Sequence, residues 1–381
     1  MAKTSRQVLL IGSMPIRPVA KVFTTVAEHL GTLAPRIPDG EMMGWLRNVW
    51  RSHAANPALQ QVAIAKLNGR AVSGVPIYRL KAGVSAQDLK LGPYGYAKNA
   101  AASYAEFKRL RDEGKIPAGT RLQVTMAGPG TTCFGIQVDA GALLPIAAAA
   151  LWTEIQGILT VIPANDLTIH IDIAMEAEKE EYLRRPEAFD MPIQAAFYWT
   201  HKQMAECVAS LANKIPAGVE FGFHICSIWH HWPDSGQDNA VLVDTANALS
   251  QRIHRPIGYI HIPLIPEHDK PEDFAPFKQL KLHPETKLIL GLVNLADGLE
   301  GAKRRIALAE AVVSDFGIAM FCGLGHIPAP SGGYEAQRRE MGLQPIKSAT
   351  EGQAPTHPGL RRATPETIGD VLDLHRRIAE L

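Results

Sequence analysis

The chain has 381 residues, of which 46% are hydrophobic and 20% are charged, so we expect a large core and exclude general disorder. Its 39 basic and 38 acidic side chains give a net charge of +1, which argues against a binding surface for nucleic acid or an anionic membrane. The N-terminal apolar run from Val8 to Gly12 is too short for a signal peptide or a membrane span, so we expect a soluble, cytoplasmic protein.

Strand-like and helix-like segments alternate along the chain. The strand-like segments are nearly continuous in apolar and β-branched residues, as expected for strands that are covered on both faces. Amphipathic helical patterns separate most of them, and Gly31 and Gly114 are typical of residues that end a helix. The predicted strands are 7–13, 75–81, 121–127, 167–174, 219–226, 257–264, 288–294 and 317–323.

Eight strands that alternate with helices predict an α/β fold, namely a (β/α)8 TIM barrel. An open doubly wound sheet is the alternative, but "LIGSMPIRP" lacks the G-x-G-x-x-G loop that such a sheet would need for phosphate binding. We expect a single domain over 1–381. Its irregular parts are insertions or an additional hairpin at about 36–100, and a Pro/Gly-rich loop or lid at about 326–362.

Polar residues collect where the predicted strands end, which is where barrels of this type place their catalytic groups. The loop "WHHWP" after the fifth strand supplies an aromatic wall for a substrate. The turn "PDGE" adds two carboxylates, Asp39 and Glu41, for which a turn and a substrate-binding role can coexist. In chain order, the candidates at the strand ends are Ser13, Arg17, Asp172, Glu176, His224, Cys226, Trp229, His230, His261, Asn294 and Cys322.

His224 and Cys226 are two residues apart on one strand, so their side chains project to the same side, with Cβ atoms roughly 7 Å apart. That separation allows both to bind one metal ion. Cys322 follows Cys226 by 96 residues (322 − 226). This spacing is too long for a zinc finger, but it is expected for residues on strands five and eight of a barrel. Alternatively, His224 joins a polar network and Cys226 only packs, but their place at the strand end favours a catalytic Zn²⁺ with one open position.

Several of the other candidates keep more than one interpretation. Asp172 and Glu176 are suited to binding an ammonium group or to acid–base catalysis, although Glu176 also begins a helix whose dipole it would complement. His261 is either a core histidine, a fourth metal ligand or a proton donor. His230 and Trp229 either pack within their loop or contact a substrate.

The H-x-C on the fifth strand and the C-G on the eighth resemble the catalytic domain of cobalamin-independent methionine synthase. They also resemble the wider zinc-dependent thiol-alkylating superfamily, whose barrels are of the uroporphyrinogen decarboxylase and methionine synthase type. "IGSMP" and "RIPDGEMMGWL" are similar to the "GS-P … PDGE" pattern of stand-alone members, and "LTIHIDIAMEAE" lies where the family has "IQIDEPAL". The similarity extends from about Gly12 to Gly325.

The resemblance implies a zinc ion held by His224, Cys226 and Cys322, with Asp172 facing the polar end of the substrate. The zinc-binding glutamate of the family has no counterpart in "YIHIPLIPEHD", where Pro263 stands at the matching position. The family's "DCGLKTR" reads "MFCGLGH" here, and the large N-terminal half of full-length methionine synthase is absent, so a folate-type methyl donor remains only one option.

The favoured function is therefore a zinc-dependent alkyltransferase, with methyl as the expected group, that binds a small thiol as a zinc-bound thiolate and takes the group from an alkyl donor. A C–S lyase or a thiol–epoxide transferase on the same zinc site is the second hypothesis. A metal-free barrel that binds a small molecule is the third, and the sequence leaves homo-oligomerisation open.

Overall fold

The computed structural model describes residues 5–42, 44, 46–67, 70–174, 200–226, 239–325 and 362–381. Within these residues, the strands are β1 (Arg36–Pro38), β2 (Leu59–Leu67), β3 (Arg70–Leu80), β4 (Arg121–Ala127), β5 (Leu167–Ile173), β6 (Glu220–Ile225), β7 (Tyr259–Pro263), β8 (Lys287–Val293) and β9 (Phe316–Met320). The α-helices are α1 (Val19–Leu30), α2 (Arg47–Ala54), α3 (Tyr96–Asp112), α4 (Pro129–Cys133), α5 (Ala140–Val161), α6 (His201–Ala212), α7 (Asn239–Arg252), α8 (Pro271–Phe274), α9 (Gly298–Glu310) and α10 (Ile368–Ala379).

The described strands form a parallel α/β sheet of seven strands, in the order β1-β4-β5-β6-β7-β8-β9. The sheet curves into an open half-barrel. β2 and β3 pair antiparallel with each other as a separate two-stranded sheet. Every residue of β5, β7 and β9 is buried, as expected for strands that are covered on both faces.

The predicted closed barrel of eight strands is wrong. Residues 7–13 make only a single bridge to the sheet, from Val8 to Ile318 of β9. The side-chain amide of Gln123, on β4, donates to the carbonyls of Leu10 (2.9 Å) and Ile11 (2.8 Å). A side chain therefore takes up hydrogen bonds that a neighbouring strand would otherwise supply, and the sheet stays open at this edge.

The predicted strand 75–81 is also misplaced, because these residues belong to β3 of the separate hairpin. Its position in the parallel sheet is taken by β1, which has only three residues and gives little periodic signal. The other six predicted strands are confirmed as β4 to β9, with boundaries that differ by a few residues at most. Positive φ angles at Gly31 (51°) and Gly114 (72°) follow α1 and α3, as predicted.

A partly buried ion pair fixes the short strand β1 to the rest of the sheet. The guanidinium of Arg36 donates to both carboxylate oxygens of Glu220 on β6, at 2.8 and 3.0 Å, and lies 4.3 Å from the centre of the Tyr259 ring on β7. Thr168 on β5 also donates to Glu220, at 2.5 Å. These side chains connect four strands at the end of the sheet opposite to the candidate site described below.

Helix α5 is long and apolar enough to cross a membrane by length and composition alone. In the structure it packs against α3 and α6, and its buried side chains include Leu143, Leu151 and Ile155. A helix in the core of a folded domain can have the same length and apolar composition, so these two features alone are weak evidence for a membrane span.

His375 makes the stability of the fold pH-dependent. It is fully buried on α10, donates to the Val371 carbonyl at 2.7 Å, and has its pKa lowered to about 4 by burial. An unfolded histidine has a pKa of about 6.5, so between these values the unfolded chain holds the extra proton and acid favours unfolding. In His375→Leu, we expect the loss of unfolding free energy between pH 7.0 and pH 4.5 to shrink by about 2 kcal/mol.

Urea unfolding of both proteins at the two pH values, with a chelator present, measures this difference. His375→Gln, which also cannot take up a proton, should behave in the same way. An equal pH dependence in wild type and both variants would contradict the prediction.

Candidate metal centre

The carboxyl ends of β6 and β9 bring together one histidine and two cysteines. His224 is the fifth residue of β6 and Cys226 directly follows the strand, while Cys322 lies two residues beyond the end of β9. All strands from β4 to β9 run parallel, so the loops that follow them lie at one edge of the sheet. The site therefore depends on the sheet topology, although only His224 lies within a strand.

The ligand atoms of His224, Cys226 and Cys322 all lie within 4.8 Å of one another. The two sulfur atoms are 4.0 Å apart, far beyond disulfide length, so the two cysteines form no disulfide with each other. Two sulfurs bound at about 2.3 Å to one tetrahedral zinc ion would be about 3.8 Å apart. The arrangement therefore fits a metal ion with little movement.

His224 supplies a second indication of a metal. Its side chain is 1% exposed, and its Nε2 atom is buried without a hydrogen bond in the part of the chain that the structure describes. A buried polar atom without a partner costs about 1–3 kcal/mol. A bound cation would satisfy this atom, and imidazole with two thiolates is a donor set that zinc prefers.

The other ring nitrogen of His224 contacts a second histidine. Its Nδ1 lies 2.7 Å from Nδ1 of His261, which is the in-register neighbour on β7. Burial, followed by the charge of His224, holds the pKa of His261 well below its usual value, while Cys322 and the Met320 carbonyl oppose this shift. The His261 ring is therefore neutral at physiological pH.

The environment of Cys322 favours a thiolate. A hydrogen bond from Cys226 is the main cause that holds the pKa of Cys322 well below its usual range, with further contributions from His224 and the charge of Arg362. Arg362 donates to the carbonyl of Gly323 at 2.8 Å and lies 5.2 Å from the centre of the Phe321 ring. Sequence reasoning missed Arg362, because no motif surrounds it and only the fold brings it next to Cys322.

Asp172 ends a chain of buried polar side chains. His170 contacts Asp172 Oδ1 through Nε2 (3.0 Å) and the Tyr259 hydroxyl through Nδ1 (2.6 Å). Tyr259 lies 3.4 Å from Gln123 Oε1. His170 is fully buried, and burial lowers its pKa, although Asp172 opposes the shift. His170 was not predicted; the signal available was its i, i+2 spacing from Asp172 on one strand.

The "PDGE" turn brings two carboxylic acids to the same end of the sheet. Asp39 accepts hydrogen bonds from the backbone of Glu41 (2.8 Å) and from Asn99 (2.5 Å) and Ser103 (2.9 Å) on α3. Burial raises the pKa of Glu41 well above its usual value, and the charges of Asp172, Cys322 and Asp39 raise it further. The charges of Asp172 and Cys322 act on Glu41 because the turn lies close to the candidate metal centre, and Asp39 belongs to the same turn. All three charges favour the protonated form of Glu41.

The backbone at Gly12 lies close to the Glu41 carboxyl group. A Cβ atom on Gly12 would lie 2.4 Å from Glu41 Oε1, and Glu41 itself adopts φ of 54°. Asp39 and Glu41 line a small cavity with Tyr96 and Thr125. The backbone therefore approaches the carboxyl closely, which is consistent with a fixed position for this side chain.

Three other predicted residues lie in the described part of the chain. Ser13 is buried and lies against Gly323. A Cβ atom added to Gly323 would lie 2.0 Å from the Oγ atom of Ser13. Arg17 donates to the Met42 carbonyl at 3.1 Å, so it reaches the turn after Glu41. Asn294, after β8, accepts from the Ala296 backbone at 2.9 Å, and its buried Nδ2 has no hydrogen bond to the described residues.

Glu176, Trp229 and His230 were also predicted as substrate-binding residues. They lie outside the described residues, so their roles stay predictions. Residues 326–361, most of the predicted lid, lie outside them as well.

Comparison with known proteins gives a likeness of fold. No family model matches the chain, and no curated protein matches it. Among solved structures, it is similar to a protein from Listeria monocytogenes provisionally named a vitamin-B12 independent methionine synthase. The two share 14% sequence identity and a TM-score of 0.50, over 95% of this chain and 86% of the other. At this identity the likeness concerns the fold alone.

The cluster can be tested with cobalt, which reports thiolate ligands by charge-transfer absorption. We expect the wild-type protein to bind one Co²⁺ with near-ultraviolet absorption from two thiolates. Cys226→Ser and Cys322→Ser should each lose about half of this absorption and bind the metal at least tenfold more weakly, because a neutral hydroxyl is a poor ligand. Titration followed by absorption measures both quantities.

Cys207→Ser is the matched control, because Cys207 lies on α6 and donates to the Leu144 carbonyl at 3.3 Å, away from the cluster. Its spectrum and affinity should equal those of the wild type. Retention of full absorption after either of the first two substitutions would exclude that cysteine as a ligand.

Proposed function

We propose that this protein is a zinc-dependent transferase that transfers an alkyl group, most simply a methyl group, to the sulfur of a small thiol. The observation that carries the proposal is the cluster of a ring nitrogen of His224 and the sulfurs of Cys226 and Cys322, within 4.8 Å of one another. The likeness of fold to the Listeria protein, whose name refers to methionine synthesis, supports the same class of reaction.

The donor set favours thiol chemistry over hydrolysis. Two thiolates and one neutral imidazole would bring the charge of a bound Zn²⁺ to about zero, and such an electron-rich ion is a weak Lewis acid for activating water. When bound, zinc supplies a site at which a substrate thiol loses its proton near neutral pH and keeps a nucleophilic sulfur.

The side chains around the cluster would orient the substrate. Asp172, held by His170, is the group that we assign to the thiol proton, because it is the buried carboxylate with a fixed hydrogen-bond partner at this edge. Glu41 in its protonated form can donate a hydrogen bond, and the Nδ2 group of Asn294 is a second donor. These groups suit a small substrate with polar atoms near its sulfur.

The reaction is a displacement at carbon. The sulfur forms a bond to the alkyl carbon while the bond from that carbon to the donor's leaving atom breaks. The leaving group departs with the bonding electron pair, and the thiol proton is transferred to Asp172. Burial of Asp172 and His224 keeps water away from the reacting sulfur.

We expect zinc-loaded wild-type protein to convert one of a panel of small thiols to its S-methyl product. The panel should be incubated with methyl donors, including a folate-type donor, and separately with epoxides, with products identified by mass. Cys322→Ser should lower the rate by at least 100-fold, since the sulfur nucleophile would lose its binding site. Cys207→Ser should retain the wild-type rate.

The outcomes separate the alternatives. Products from epoxides alone would replace the methyltransferase proposal with a thiol–epoxide transferase, and release of free thiol from a thioether would indicate a C–S lyase. If protein purified without chelators neither contains nor binds zinc, each of these zinc-dependent activities is excluded.

A further inference from the structure

Two buried histidines share one hydrogen bond beneath the candidate metal centre. His224 on β6 and His261 on β7 are in register, and their rings lie 4.8 Å apart between centres. The side chains are 1% and 0% exposed, and the Nδ1 atoms are 2.7 Å apart. Because neither nitrogen can reach water, this contact must consist of one donor and one acceptor.

The direction of this hydrogen bond decides whether His224 can bind a metal. If His261 donates, then His224 carries its proton on Nε2, and that atom has no lone pair for a cation. If His224 donates, its Nε2 keeps a lone pair with which the ring can bind a cation together with Cys226 and Cys322. His261 then carries its proton on Nε2.

A bound metal requires the second arrangement. Nε2 of His224 and Nε2 of His261 are both buried without a hydrogen bond to the described residues, so this side of the two rings favours neither direction. A cation held by the sulfurs of Cys226 and Cys322 needs a lone pair on the His224 ring, and Nδ1 is already occupied by the 2.7 Å contact with His261. Nε2 is then the ligand atom, and His224 donates its Nδ1–H to His261.

Among the residues that the structure describes, no other ring near His224 is placed to take this role. His170 stacks on the opposite side of His224 at 6.5 Å, but its two nitrogens are already engaged by Tyr259 and Asp172. Metal-binding histidines usually donate their second N–H to a carboxylate, a backbone carbonyl or water. Here the acceptor is a histidine on the adjacent strand.

We propose that His261 is a positioning residue of the metal centre, which accepts the Nδ1–H of His224 and thereby fixes Nε2 of His224 as the ligand atom. The proposal rests on the proposed zinc site and deepens it. It gives His261 a role other than fourth ligand, because its Nδ1 is turned toward His224 and it is not part of the three-residue cluster. Removal of such a partner typically lowers metal affinity 10- to 100-fold.

The test compares two substitutions at one position. His261→Phe keeps the ring but removes the acceptor, so we expect Zn²⁺ affinity to fall 10- to 100-fold. His261→Asn places its Oδ1 atom where Nδ1 stood, so we expect its affinity to stay within about threefold of the wild type. His375→Phe, at another buried histidine, is the control for a general loss of packing.

Zn²⁺ affinity is measured by competition with a chromophoric chelator, which requires no catalytic turnover. The Co²⁺ spectrum of each variant reports the number of thiolates and the coordination number. The expected result is weaker binding in His261→Phe, with both thiolate bands and the tetrahedral bands kept. Equal affinities in wild type and His261→Phe would overturn the proposal and leave the zinc site standing.

Two further outcomes would also overturn it. If His261→Asn loses as much Zn²⁺ affinity as His261→Phe, a hydrogen-bond acceptor at position 261 does not determine the affinity. If His261→Phe changes the coordination number of cobalt, His261 is a ligand. Failure of the wild-type protein itself to bind zinc would instead reject the proposed function, so the two failures are distinguishable.

Discussion

The position of one pair of sulfur atoms depends on the whole parallel sheet. Cys226 and Cys322 are separated by 96 residues (322 − 226), yet their sulfurs lie 4.0 Å apart because β6 and β9 end at the same edge. Between them run β7 and β8, so the curvature of the sheet, and not adjacency of strands, brings the two ends together. A flat sheet would place strands three positions apart about 14 Å from each other.

Curvature of this kind needs support from the sheet interior, and polar side chains supply part of it. Gln123 binds the backbone of residues 7–13 from β4, and the Arg36–Glu220 pair joins β1 to β6. Tyr259 lies between these two groups, with Arg36 over its ring and its hydroxyl against His170. Paired polar groups therefore lie beneath the site, beside a small apolar cluster that includes Leu9, Ile11 and Ile289, and each pairing limits how the strands can shift.

Negative charge is concentrated at the open end of the sheet. Asp172, Asp39 and the thiolate form of Cys322 all act on Glu41, and Arg362 is the cation that opposes them there among the described residues. Bringing further negative charge into a buried space is unfavourable unless a cation compensates for it. A divalent ion on the two cysteines would provide such compensation, which links the electrostatics of the carboxylates to the chemistry proposed for the sulfurs.

The sequence by itself determined six strands of the sheet, from β4 to β9, and the pair His224 and Cys226, because continuous apolar runs and H-x-C spacing are local signals. Cys322 lies 96 residues beyond Cys226 (322 − 226), and only the fold brings its sulfur to the other two side chains. Only the tertiary structure decided that the sheet is open and that 75–81 belongs to a hairpin, since an apolar run does not reveal which strand it will pair with. The partners His261, His170 and Arg362 likewise depend on contacts between distant segments. The direction of a hydrogen bond between two rings is a property of their surroundings, which no single stretch of sequence contains.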